Sequence, residues 1–151
     1  MNKIILTLAL AVSLAGALHA QVKGKAIGLR FGNGGEISYQ SALGNTNRLE
    51  LDLGLNTWDN NSNSGLGLTG IYQWVWGLEE VAQGFNWYAG LGGTLGSYYG
   101  SHLGLGIVGQ IGLEYNFDIP LQISVDYRPA IFLVYPHNSF DDARIALRYR
   151  F

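Results

Sequence analysis

The chain has 151 residues, with 9 basic and 11 acidic side chains, 22 glycines and no cysteine. That length suits one domain. The composition excludes a disulfide framework, a thiolate zinc site and a lipidated N-terminal cysteine, and the charge offers no basic patch for nucleic acid.

The first segment, "MNKIILTLALAVSLAGALHA", places Lys3 ahead of an apolar run from Ile4 to Leu14, and small residues follow. This pattern predicts a secretory signal peptide over 1–20, too short for a spanning helix and removed from the mature protein. An uncleaved anchor is the competing reading. Ala15-Gly16-Ala17 is the better A-x-A match, while cleavage after Ala20 leaves Gln21 first. Both sites stay open, with the second preferred. The mature domain, 21–151, then has 8 basic and 11 acidic residues, a formal charge of −3. No later stretch approaches the ~18 consecutive apolar residues of a spanning helix.

From residue 25 onward the dominant period is two, which predicts strands. Eight are expected, over 25–32, 35–43, 47–56, 65–76, 85–95, 102–117, 120–133 and 143–151. The third sets Leu49, Leu51, Leu53 and Leu55 against Glu50, Asp52, Gly54 and Asn56. The sixth puts Leu103, Leu105, Ile107, Ile111, Leu113, Tyr115 and Phe117 on one face. The seventh alternates Leu121, Ile123, Val125 and Tyr127 with Gln122, Ser124, Asp126 and Arg128. Gly- and Asn-rich turns separate the strands, and the link 77–84, "GLEEVAQG", has room for a helical turn. Eight meandering strands are expected to close into an antiparallel up-and-down barrel, because closure removes exposed edges.

Period alone fits two barrels. A soluble carrier of the lipocalin type has its apolar face inside, whereas a membrane barrel reverses the faces. Three features favour the second. The non-apolar face is mostly Gly, Ser, Gln and Asn with charges of both signs, which suits a narrow lumen. Arg30, Arg128, Arg144 and Arg148 are expected there, paired with Glu36, Glu50, Asp52, Glu114 and Asp126. With both termini periplasmic, Trp74, Trp76, Phe85, Trp87, Tyr115, Phe117, Tyr149 and Phe151 fall at one rim, as in an interfacial aromatic girdle. Trp58, Tyr98, Tyr99, Phe132 and Tyr135 fall near the other. Most strands also reach the ~9–11 residues needed to span.

The end of the chain, "ARIALRYRF" over 143–151, is apolar on one side, with Arg144, Arg148 and Arg150 on the other. It resembles a closing strand whose terminal aromatic, Phe151, is the signal read by the barrel-assembly machinery. "GLEYNFDIPLQISVDYRPAI", 112–131, followed by "RIALRYRF", is similar to uncharacterised small barrels of Gram-negative bacteria. More broadly the mature chain resembles the small eight-stranded outer-membrane proteins of the OmpA membrane-domain and OmpX kind. The resemblance implies an outer-membrane location and contact with outer-membrane lipids. The chain departs from that kind in its short loops, which argue against adhesion or receptor roles. No peptidoglycan-binding domain is expected after Phe151.

Candidates for chemistry are sparse. His137, Ser139 and Asp141 resemble the H-x-S spacing of outer-membrane lipid A deacylases, since a His can activate a nearby Ser. They lie in an expected loop after Pro136, outside the strand context that the chemistry requires. His102 and His137 are too few and too separated for a metal site, and no cofactor is expected. "GLGLTG" at 65–70 and "GLGIVG" at 104–109 fit G-x-G-x-x-G, but neither precedes a helix, so the nucleotide reading fails. The resulting expectation is a non-enzymatic, porin-like envelope barrel with a filled polar lumen. A lipid A acyl hydrolase, a narrow channel and a lipocalin-like carrier remain as alternatives.

Overall fold

The computed structural model describes residues 22–32, 34–56, 65–98, 102–134 and 140–151. Alternating residues there form nine strand segments: β1 (Lys25–Gly32), β2 (Gly34–Ala42), β3 (Asn47–Asn56), β4 (Gly65–Gly77), β5 (Phe85–Tyr98), β6 (His102–Asn116), β7 (Leu121–Tyr127), β8 (Ala130–Phe132) and β9 (Ala143–Arg150). Every pairing is antiparallel. Consecutive strands from β1 to β6 pair in turn, β7 follows β6, and β9 lies between β7 and β1. The ring is thereby closed, as an eight-stranded barrel.

The difference between nine segments and eight wall strands lies at Pro129. Ile111↔Tyr127 and Val108↔Ala130 belong to one register, so β7 and β8 are two parts of one wall strand. The expected run 120–133 is broken because proline has no N–H to give to the ladder. Its carbonyl still accepts from Gly109 N (3.0 Å), and Arg128 N still donates to Asp142 O (2.8 Å). The 77–84 link contains one helical turn, in which Ala82 N donates to Leu78 O (3.1 Å).

Backbone conformation explains the start of β5. Gly84 has φ +87, and an added Cβ there would lie 2.4 Å from Asn116 O. The wall also curls tightly at Gly92, where a Cβ would sit 1.9 Å from Gly70 O. A glycine at this position lets neighbouring strands approach inside a narrow barrel.

Apolar side chains are mostly outside the barrel, and polar and charged ones inside. Among the described residues, the odd positions of β3 and β6 that carry leucine and isoleucine point outward, and the even positions point in. Twenty-four large apolar side chains on the strands are exposed. Inside are few apolar groups: Ile71, Val108 and Ala130 form one cluster with Phe132 packed on it, and Val75 and Tyr88 form another. The rest of the buried interior is mainly polar and charged. The barrel has two ends. The first rim holds the start of β1 and the end of β9; the second lies opposite.

Candidate functional site

The lumen holds the chemistry-bearing side chains. The inward positions of β1, β2, β3, β6, β7 and β9, with Arg128 just after β7 and Asp142 just before β9, bring together Arg30, Arg48, Arg128, Arg144 and Arg148 with Glu36, Glu50, Asp52, Glu114, Asp126 and Asp142. Each is buried, and Arg30 and Glu50 are 0% exposed. Isolated charges at such depth would be prohibitively costly, so partners are required.

One cluster lies toward the first rim. Glu50 accepts from Gln40 Nε2 (2.6 Å), Gln110 Nε2 (3.1 Å) and Arg148 Nη2 (2.9 Å). Arg148 also donates to Ser38 (3.0 Å) and Ser124 (2.9 Å). Arg48 pairs with Glu114 (2.6 Å), donates to Gln73 Oε1 (2.5 Å) and stands 4.9 Å from the Tyr88 ring centre. The cation above an aromatic face is a favourable arrangement once water is excluded.

A second cluster centres on Arg30. Its Nη1 donates to Glu36 (2.7 Å) and Asp52 (2.9 Å), and its Nη2 to Asp126. Arg128 spans two of the same acids, Glu36 (2.6 Å) and Asp52 (2.8 Å), and also reaches Asp142 (3.5 Å). Arg144 completes it through Asp142 (2.7 Å) and Glu36 (3.2 Å). Tyr88 joins the clusters, since its hydroxyl donates to Asp126 (3.1 Å) and its ring carries Arg48. Small residues on the inner wall make the space. A Cβ on Gly112 would lie 2.5 Å from the Tyr88 ring, and one on Gly54 would lie 2.4 Å from Glu36 Cγ. Arginine suits this core because its planar fork serves several carboxylates at once.

The structure therefore gathers all nine lumen residues expected from the sequence, namely Arg30, Glu36, Glu50, Asp52, Glu114, Asp126, Arg128, Arg144 and Arg148. It adds Arg48 and Asp142, which sequence reasoning missed. Arg48 shares the parity of Glu50 and Asp52, and Asp142 that of Arg144, so alternation carried the signal for both.

The aromatics gather as the register dictates. Trp76 is opposite Trp87, and their rings stack at 4.2 Å. Phe85 is opposite Tyr115, with centroids 6.4 Å apart, and Tyr115 meets Phe117 edge-on at 4.8 Å. Trp74 packs on Tyr72 (5.0 Å), and Tyr149 and Phe151 stack at 6.4 Å. The eight aromatics expected at one rim lie at the first-rim ends of their strands, with Phe117 and Phe151 just beyond them. Phe132 lies toward the second rim but turns inward, where a Cβ on Gly106 would come within 3.0 Å of its ring.

His137 and Ser139 lie outside the described residues. Asp141 is exposed, whereas its neighbour Asp142 is buried between Arg144 and Arg128. His102 starts β6 at the second rim and is exposed. Among the described residues no group of three or more His, Asp or Glu is placed to hold a metal ion. Comparison with protein-family models, with curated proteins and with solved structures found no match.

Proposed function

We propose that the mature chain, 21–151, is an integral outer-membrane barrel of a Gram-negative bacterium. Its role is that of a non-catalytic envelope component with a filled lumen. The observation that supports this best is the inverted burial. Twenty-four half-exposed apolar side chains circle the strands. They present on the order of 2,000 Å² of apolar surface, against about 300–600 Å² for the largest patch on a typical soluble monomer. A bilayer is the solvent that suits such a surface, and a closed barrel leaves no edge unpaired within it. The first-rim aromatics fit the interfacial level of that solvent.

The lumen favours a filled barrel over an open pore, since guanidinium groups bridge opposite walls and Tyr88 links the two clusters. It also disfavours a lipocalin-like carrier, whose apolar residues would line the inside. Outer-membrane lipids are the proposed surroundings, and the barrel-assembly machinery, engaging β9, the proposed route of insertion. Removal of residues 1–20 on export belongs to the same reading.

The test is expression of the precursor in a Gram-negative host, followed by fractionation and gel electrophoresis with and without boiling. The expected result is an outer-membrane protein whose mobility changes on heating and whose first residue is Gln21. A soluble periplasmic protein with no mobility change would overturn the proposal. Protein-dependent conductance in planar bilayers would replace the filled lumen with a channel.

A further inference from the structure

The basic residues of the chain divide in a telling way. Apart from Lys3 there are eight. Five are the lumen arginines, all paired with carboxylates. The other three, Lys23, Lys25 and Arg150, line a single cavity at the first rim. Arg48 and Glu114 are also in its wall. Glu114 is already held by Arg48 (2.6 Å) and Asn86 (3.2 Å), so the cavity carries an excess of positive charge.

The wall is built rather than incidental. Val22 N donates to Asn45 O (2.7 Å), Ala42 N to Gly24 O (2.9 Å), and Lys25 N to Phe151 O (2.9 Å). Gly24, at φ +72, turns the segment across the mouth, and Val22 packs inside on the Val75–Tyr88 cluster. These ties hold the two lysine positions beside the cavity. Among the described residues neither lysine has an ion-pair partner. Arg150 donates through Nη2 to Phe117 O (2.5 Å) and Ile119 O (3.0 Å), and its Nε is buried without a hydrogen-bond partner.

We propose that this cavity is a binding site for a small oxyanion of the phosphate class, held by Lys23 and Arg150, with Lys25, on the outward parity of β1, adding its charge at the mouth. Its volume of about 160 Å³ fits such a group with a little water. That is well below the roughly 300–1,000 Å³ of a drug-sized ligand pocket, so an acyl chain does not fit. Cations on mobile and forked donors together suit a phosphate, the lysines as point charges and the arginine through directed N–H groups. The phosphate has two possible sources: the free ion, or a phospholipid headgroup at a rim that also carries the aromatic band. The site does not rest on the membrane reading, since a soluble barrel would still carry the cavity.

The test is calorimetric titration of the mature chain at low ionic strength, first with inorganic phosphate and then with dihexanoyl phosphatidylglycerol below its micelle concentration. Saturable binding of one equivalent is expected, weakening as NaCl is raised. A Lys23→Gln/Lys25→Gln double variant is expected to weaken it about tenfold, and Arg150→Gln to weaken it severalfold. Binding of phosphate alone identifies the free ion as ligand; binding of the lipid in competition with phosphate identifies the headgroup. The proposal is overturned if neither probe binds, or if the double variant binds as the parent does. Should Arg150→Gln fail to fold, the lysine pair still decides, because both lysines are exposed.

Discussion

Arg30 gathers three carboxylates from three strands, Glu36, Asp52 and Asp126, at a position with no access to water. A buried ion pair is not in itself a large source of stability, because desolvation offsets the attraction. Breaking one is a different matter. Arg30→Met removes the shared cation and leaves Asp126 with only the Tyr88 hydroxyl. The expected loss is about 3–5 kcal/mol, the usual cost of removing one partner of a buried pair. Reversible urea unfolding of the refolded barrel would measure it. Leu43→Ala, in the exposed β2–β3 turn, is the control and is expected to stay within about 0.5 kcal/mol. At this scale the sequence was largely legible, because parity assigns each residue of a strand to one face. Arg48 obeys the same rule, in parity with Glu50 and Asp52. Asp142 was hidden, because it precedes β9, in a polar run with every mark of a turn. Pairings are another matter. Nothing in one chain tells that Arg128 reaches Glu36 across the lumen rather than its strand neighbours, since shear and closure decide which inward residues meet.

Strands were readable to within a residue or two wherever alternation was unbroken, as in β1, β3 and β4. β5 runs three residues past its expected end at 95, to Tyr98, and 120–133 is broken although apolar and polar residues alternate through Arg128-Pro129 without a visible break. Side-chain period and hydrogen bonding are separate properties, and proline interrupts only the second. The register directs the 129 backbone at Gly109, whose N–H bonds the Pro129 carbonyl. Pro129→Ala supplies an N–H pointed at Gly109 O. It should therefore join β7 to β8 and give residue 129 an amide protected from hydrogen exchange. The added bond contributes about 0.5–1.5 kcal/mol, and loss of the proline's rigidity removes about 0.4–1 kcal/mol. Net stability is thus expected to change little while local protection rises. Fast exchange of the new amide at position 129 would mean that the break has a cause other than the missing donor.

The whole barrel is defined by which solvent each face meets, and one outward residue can report on it. Leu53 lies near the middle of β3, with Ile37 and Leu68 opposite it on either side. All three are exposed, so the site sits inside a continuous apolar band rather than at its margin. Leu53→Arg leaves the lumen network untouched because the side chain points away from it. In water the change is a surface substitution, worth no more than about 0.5 kcal/mol. In a bilayer it places a cation near mid-depth, where the cost is about 2–4 kcal/mol. Unfolding the parent and the variant in lipid vesicles, and again in detergent without a bilayer, separates the two cases. A penalty of that size confined to vesicles is expected. An equal, negligible change in both would reject a lipid-facing band, whatever the gel mobility had indicated. The same experiment at the rim adds a gradient. Arginine in place of Leu55, closer to the second rim, should cost less than at Leu53, because a guanidinium near the interface reaches water and phosphate without crossing the hydrocarbon.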